Sequence, residues 1–208
     1  MLFKKNDKIG LYTVAFPHKQ GSYAETYRVK DANGKTRFLK LINYSKLNRN
    51  QIDDEGRIIE VEIAKQLHHH NLCQFIDLGT LMMRGCQYAW FVTQFVSGET
   101  LSQRIIRDDE ISIYEIKTIA KAVLSALAFL HSRPVPIIHN EVTIQNVFLN
   151  LVGELGDLKL IDFGYARFLN QKPSKPNLDE LNPFYLAPER FSGVCSVQSD
   201  LYAVGAMM

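Results

Sequence analysis

Pro136–Gly164 reads PIIHNEVTIQNVFLNLVGELGDLKLIDFG, and the reading of this stretch decides the fold. Two short apolar runs, Val147–Leu149 and Leu158–Ile161, have the composition of strands, and Gly153–Asp157 between them reads as a turn. Polar residues gather at the outer ends of this predicted strand pair. His139, Asn140, Glu141 and Asn146 precede it, and Asp162-Phe163-Gly164 closes it, sixteen residues after Asn146.

Upstream of this stretch, Ser112-Ile113-Tyr114-Glu115 forms a capping-box pattern. The helix it opens places Ile116, Ile119, Val123, Leu127 and Leu130 on one face and is ended by Pro134 and Pro136. Further back, the first hundred residues are rich in strand patterns. Leu11–Phe16, Glu25–Lys30 and Thr36–Asn43 read as strands, the last two joined through Asn33-Gly34, a strong hairpin signal. Ile59, Ile63 and Leu67, at four-residue steps, predict a helix. Gln74–Leu78 and Tyr88–Val96 predict two further strands, and Gly98 then punctuates the chain. A boundary is therefore expected near Gly98, giving one lobe over about residues 1–97 and a second over about 98–208. Downstream, Asn170–Asn177, with Pro173 and Pro176, reads as a polar loop, and no internal repeat is evident.

Composition narrows the function classes. With 208 residues and 46% hydrophobic content, the chain can bury a core in one or two small lobes. The net charge is +2 and the basic residues are dispersed, which argues against a nucleic-acid partner. Charges interrupt every apolar stretch well before the ~18 residues a membrane helix needs, so no membrane association is expected. The opening MLFKKNDKIG lacks the apolar centre of a signal peptide, and three cysteines (Cys73, Cys86, Cys195) have no paired spacing. Reduced thiols in a cytoplasmic protein are expected.

The polar residues of the first stretch resemble the catalytic core of eukaryotic-type protein kinases, HRDLKxxN followed by DFG, and the resemblance extends from about Tyr12 to the last residue. It is carried by His139, Asn146, Asp162-Phe163-Gly164 and Ala187-Pro188-Glu189, with Asp200 and Gly205 matching a later anchor motif. Lys40 in FLKLI resembles the strand lysine of VAIK, and Glu60, nine residues before His69 of HHNL, fits its helix partner. The resemblance implies an α+β, two-lobed protein-kinase-like fold, with a strand-rich N-lobe and a helical C-lobe truncated after the start of its central helix. It also implies an ATP- and Mg-dependent transfer of the γ-phosphate to a Ser/Thr or Tyr hydroxyl of a protein substrate. Lys40 and Glu60 would then serve the phosphates, Asn146 and Asp162 would hold Mg through hard oxygen donors, and Glu141 would orient or deprotonate the acceptor hydroxyl. Thr93 fits the gatekeeper, and Gln94–Val96 the hinge that would bind adenine.

Several positions depart from that pattern. The catalytic aspartate has become Glu141, its arginine neighbour Asn140, and the nearby lysine Thr143, so slow transfer is expected. Of the three glycines of the phosphate loop only Gly21 remains, followed by Ser22, leaving backbone amides with bulkier flanks. Phe38 shares a strand face with Lys40 where the family has a small roof residue, and Phe148 stands where a leucine makes the floor. The two rings either fill the adenine slot, sandwich a base, or pack as core. Asn182 replaces the threonine of the loop that marks Ser/Thr kinases, and Ser174, Tyr165 and Tyr185 are present as phosphate acceptors. His68-His69-His70 suits shared metal ligation poorly, because consecutive residues at a helix end point in different directions. The final Gly205-Ala206-Met207-Met208 falls inside an apolar helix, so either a further C-terminal segment or a partner chain is expected to cover it. The alternative function, in a different class, is a pseudokinase acting as a nucleotide-binding or protein-interaction module.

Overall fold

Tyr12, Val14, Tyr27, Val29, Leu39 and Leu41 recur at every second residue along three strands, so their side chains share one face, and burying that face drives sheet formation. The computed structural model describes residues 1–107, 110–150, 157–172, 175–176, 178–179 and 181–208. The expected turn residue Gly153, the acceptor Ser174 and the loop residues Pro173 and Asn177 lie outside them. The chain divides into two compact units, residues 1–61 with 74–95 and residues 62–73 with 96–208.

The first unit is a six-stranded antiparallel sheet built from β1 (Lys8–Ile9), β2 (Tyr12–Gln20), β3 (Ala24–Lys30), β4 (Thr36–Asn43), β5 (Phe75–Met83) and β6 (Cys86–Gln94). Its spatial order is β1-β2-β3-β4-β6-β5. One face carries the core, where Phe3, Ile9, Tyr88, Trp90 and Val92 join the alternating residues of β2, β3 and β4. The β3–β4 hairpin forms at Asn33-Gly34 as the sequence predicts, with the Asp31 carboxylate accepting the amides of Asn33 and Lys35 at 3.0 and 2.9 Å. Strands β2 and β5 exceed their predicted lengths, and β6 starts at Cys86 rather than Tyr88 and stops at Gln94 rather than Val96. The β5–β6 hairpin closes over Arg84-Gly85, both with positive φ (51° and 74°), as a two-residue turn of matching twist demands.

The helix predicted across Ile59, Ile63 and Leu67 is shorter than its periodicity. Helix α1 spans Ile59–Ala64, and the chain continues to the buried Leu67 through tighter bonds, Gln66 N to Ile63 O and Leu67 N to Ala64 O.

In the second unit, helix α2 (Leu101–Ile106) and helix α3 (Ile113–His131) both start from capping boxes, Thr100 with Gln103 and Ser112 with Glu115. Ile119, Val123, Leu127 and Leu130 of α3 are buried, as the periodicity requires. Helix α4 (Val197–Met207) starts at Ser196. Short strands supply the rest: β7 (Gly98–Thr100), β8 (Ile137–Ile138), β9 (Val147–Asn150), β10 (Lys159–Leu160) and β11 (Arg167–Phe168). They form a β10-β9-β7 sheet and a β11-β8 pair.

Gly98, read from sequence as punctuation, is thus a strand residue. A Cβ there would lie 1.9 Å from the Leu149 carbonyl oxygen, so only glycine lets β7 approach β9 this closely. Residues 62–73 belong to this unit because Asn71 stitches them to β10. Its carbonyl accepts Leu160 N at 2.8 Å, and its side-chain amide donates to Leu158 O at 3.0 Å. Among the described residues no helix is long and apolar enough to cross a membrane.

Candidate active site

Strand alternation in β4 sends Leu39 and Leu41 into the core and leaves Phe38 and Lys40 on the opposite face. Lys40 pairs in register with Thr26 and Phe91, and Glu60 sits in the first turn of α1. The structure brings Lys40 Nζ to 2.6 Å from Glu60 Oε1, with side chains 12% and 7% exposed. A pair this dry holds its geometry through mutual attraction, and removing either partner would strand a charge.

A third residue joins them. The Tyr23 hydroxyl donates to Glu60 Oε2 at 3.2 Å and accepts from Lys40 Nζ at 3.4 Å, while the ammonium lies 5.3 Å from the phenol ring centroid. Tyr23 belongs to the β2–β3 turn, which Gly21 N closes on Ala24 O at 2.8 Å, and its own carbonyl accepts Asn43 N at 2.9 Å. The Gly21 amide is therefore engaged within the turn, and Ser22 beside it is exposed at the tip.

Phe38 is half-buried, lies in register with Arg28 and Thr93, and meets the His18 ring edge-on at 5.9 Å. It stands apart from the core cluster on the other sheet face. Thr93 is buried, and the Gln94 amide donates to Gln74 O at 2.9 Å. Val96, half-buried, begins the last segment of the second unit.

In the second unit Asp200, 1% exposed at the start of α4, organises the loop from His139 to Asn146. Its Oδ2 accepts from His139 N at 2.8 Å and His131 Nε2 at 2.9 Å, and its Oδ1 accepts from Asn140 N at 2.9 Å. Asn140 has φ of 63°, a left-handed conformation that asparagine tolerates better than most residues. Its side-chain amide donates to Tyr165 O at 3.1 Å, tying the loop to the chain beyond Gly164.

His139 is fully buried, with its ring 4.8 Å from that of Phe163. Nε2 donates to Ile161 O at 3.2 Å, and Nδ1 accepts from Glu141 N at 3.3 Å, the pattern of a neutral imidazole. Burial pushes its pKa below the ordinary value, against the opposing pull of Asp200 and Asp162.

The Asn146 side chain donates to Glu141 O at 2.9 Å, which orients the amide with its oxygen as the remaining acceptor. Asn146 O in turn accepts Ile161 N at 2.9 Å, linking the loop to the residue before Asp162. Asp162 is exposed, also with φ of 63°, and its Oδ1 accepts Gly164 N at 3.2 Å. Glu141 is half-buried, whereas Val142 and Thr143 are buried, so no side-chain cation stands at position 143. Phe148 is half-buried in β9, opposite Thr100 and Lys159. Asn182 caps the turn Pro183–Tyr185, accepting Phe184 N at 3.1 Å, and Glu189 accepts the Ser199 hydroxyl at 2.8 Å.

The three consecutive histidines go separate ways. The His69 ring lies 5.3 Å from that of Phe129, and His70 Nε2 is 3.4 Å from Asp157. Sequence reasoning missed Tyr23 and His131. Tyr23 lies within the stretch that resembles the phosphate loop but was given no role there, His131 lies outside the motifs, and their contacts arise only once a turn and two helices are in place.

Residues 19–208 match the family model described as the protein kinase domain. The chain belongs to the protein kinase family. It is 28% identical over 210 residues to the serine/threonine-protein kinase pakC of Dictyostelium discoideum, covering 100% of this chain and 42% of that protein. A titin homolog of Caenorhabditis elegans is 30% identical over 209 residues, 97% of this chain and 1% of that protein. Human serine/threonine-protein kinase WNK4 is 28% identical over 193 residues, 91% of this chain and 15% of that protein. The chain thus spans less than half the length of these curated relatives. Within this kinase-family chain, the α+β architecture with a strand-rich first unit and a helical second unit is the one its motifs led us to expect.

Proposed function

We propose that this chain is an ATP- and Mg-dependent protein kinase that transfers a phosphoryl group to a protein hydroxyl, slowly. The observation that carries the reading is the Lys40–Glu60 pair, a nearly dry ion pair whose ammonium is suited to phosphate. The donor set on the other unit fits the implied cation, because the Asp162 carboxylate and Asn146 amide oxygen are the hard ligands that Mg prefers. Bound Mg·ATP would supply the transferable phosphoryl group, with the cation neutralising its oxygens. Lys40 would bind the phosphates, and Glu60 would hold Lys40 in place. Glu141 would orient the acceptor hydroxyl and take its proton at a carboxylate oxygen. Gly21 and Ser22 would border the phosphates, and Thr93, Gln94 and Val96, with Phe38 and Phe148, would meet the base. One kinase-like domain over residues 1–208 is proposed to act on a protein substrate, with Ser/Thr suggested by the named relatives. The free thiols Cys73, Cys86 and Cys195 suit a reducing compartment such as the cytoplasm.

A second reading is favoured by a specific observation. Glu141 replaces the shorter carboxylate, and the buried Thr143 brings no charge, so the chain would bind nucleotide without transferring phosphate. Titration with ATP, with and without Mg, separates nucleotide binding from its absence. A ligand selective for the folded state raises Tm, by an amount set by its concentration relative to Kd. Wild type is expected to show a Mg-dependent rise with ATP that Asp162→Asn loses; an equal Mg response in both proteins overturns the metal assignment. A phosphate-transfer assay on the Mg·ATP-bound protein then decides between kinase and binding module.

A further inference from the structure

We propose that Tyr23 is a built-in gate on Lys40, occupying the ammonium until the phosphates of a nucleotide displace it. The inference rests on the reading of Lys40 as the phosphate-binding cation, and it adds a regulatory element to that site.

A phenol hydroxyl has one proton to give and lone pairs to receive. Tyr23 uses both on the ion pair, donating to Glu60 Oε2 at 3.2 Å and accepting from Lys40 Nζ at 3.4 Å. Its ring adds a cation–π contact at 5.3 Å. These contacts are longer than the 2.6 Å Lys40–Glu60 bond, so Tyr23 is the member of the trio that gives way when a stronger acceptor arrives.

The backbone allows such an exchange. Asn43 N anchors the Tyr23 carbonyl to the end of β4, and Gly21 N closes the turn on Ala24 O. Rotation of the Tyr23 side chain alone would therefore release its own contact with the Lys40 ammonium, with the hairpin left intact. The Gly21 amide is engaged within the turn, so Lys40 is the cation of this unit on which phosphate recognition is proposed to rest. Competition at Lys40 then bears directly on affinity.

The test uses the 208-residue chain with Tyr23→Phe, which keeps the ring and removes the hydroxyl, and Tyr23→Ala, which removes both. Unliganded melting establishes that each variant is folded, and the phenylalanine variant carries the test if the alanine variant is not. Calorimetric titration with Mg·ATP is expected to show about five-fold tighter binding to Tyr23→Phe than to wild type, the scale of one hydrogen bond relieved. Adenosine, which has no phosphate, is expected to bind wild type and variant equally. Unchanged or weaker Mg·ATP binding in Tyr23→Phe overturns the gate alone. So does an adenosine affinity that shifts by the same factor, since Tyr23 would then be a wall for the base. If neither Mg·ATP nor adenosine binds any of the proteins, the nucleotide reading itself fails and the gate fails with it.

Discussion

Glu141 carries one methylene more than the aspartate of the pattern it stands in, and its surroundings decide whether that matters. Its backbone is held at both sides, by the N–H to His139 Nδ1 at 3.3 Å and by the carbonyl that accepts the Asn146 amide at 2.9 Å. The backbone is fixed, so any adaptation to the longer side chain must come from its rotamer. If Glu141 takes the acceptor's proton, Glu141→Gln is expected to keep Mg·ATP affinity within about two-fold and to lower transfer by about a hundredfold or more. Equal transfer rates in a folded, Mg·ATP-bound wild type and variant would remove Glu141 from the chemistry. The residues at this scale that motif spacing made legible were Lys40, Glu60, Asn146, Asp162 and Asp200, because fixed intervals bring them to fixed places. Tyr23 was not legible, since its contact depends on how a turn closes. Nor was the role of Asn140, which sequence alone reads as a missing cation. In the structure it suits a left-handed backbone position and bonds Tyr165 O.

At the scale of elements, the long and regular pieces could be read and the short ones could not. Helix α3 announced itself through its capping box and apolar face, and β4 through alternation after Asn33-Gly34. The two-residue strands β8, β10 and β11 are too short for any period to show, and Arg84-Gly85 lacks the usual asparagine signal for a two-residue hairpin. The junction of β7 and β9 rests on Gly98, where a methyl group would fall 1.9 Å from Leu149 O and 3.0 Å from the Phe148 ring. Both neighbours are constrained, one of them backbone, so β7 must move away. Gly98→Ala is expected to destabilise the second unit by about 2 kcal/mol or more, read as a lower urea midpoint at unchanged m. A midpoint equal to wild type would show that β7 shifts at no cost and that the close approach is not required.

For the molecule as a whole, the buried centre at Asp200 ties stability to pH. The neutral His139 ring sits fully buried between Ile161 O and the Glu141 amide, and burial lowers its pKa from the ordinary 6.5. The unfolded chain therefore binds a proton near pH 6 that the folded chain refuses. Stability is thus fully present above about pH 6.5 and is lost as pH falls below it, with a slope approaching about 1.4 kcal/mol per pH unit for each such imidazole. His69 shifts the same way, first through burial and then through the charges of His70 and Lys159, and adds to the loss. Asp157 and Glu189 are shifted down from 3.8 and 4.5, so what they contribute disappears only in more acid solution. Between pH 6.5 and 5.5 the imidazoles thus dominate. Urea midpoints measured at pH 7.5, 6.5 and 5.5 are expected to fall across the last interval in wild type and to fall less in His139→Gln, which has no proton to gain. A wild-type midpoint flat down to pH 5.5, or an equal decline in both proteins, would mean that His139 does not link the folding of this centre to pH.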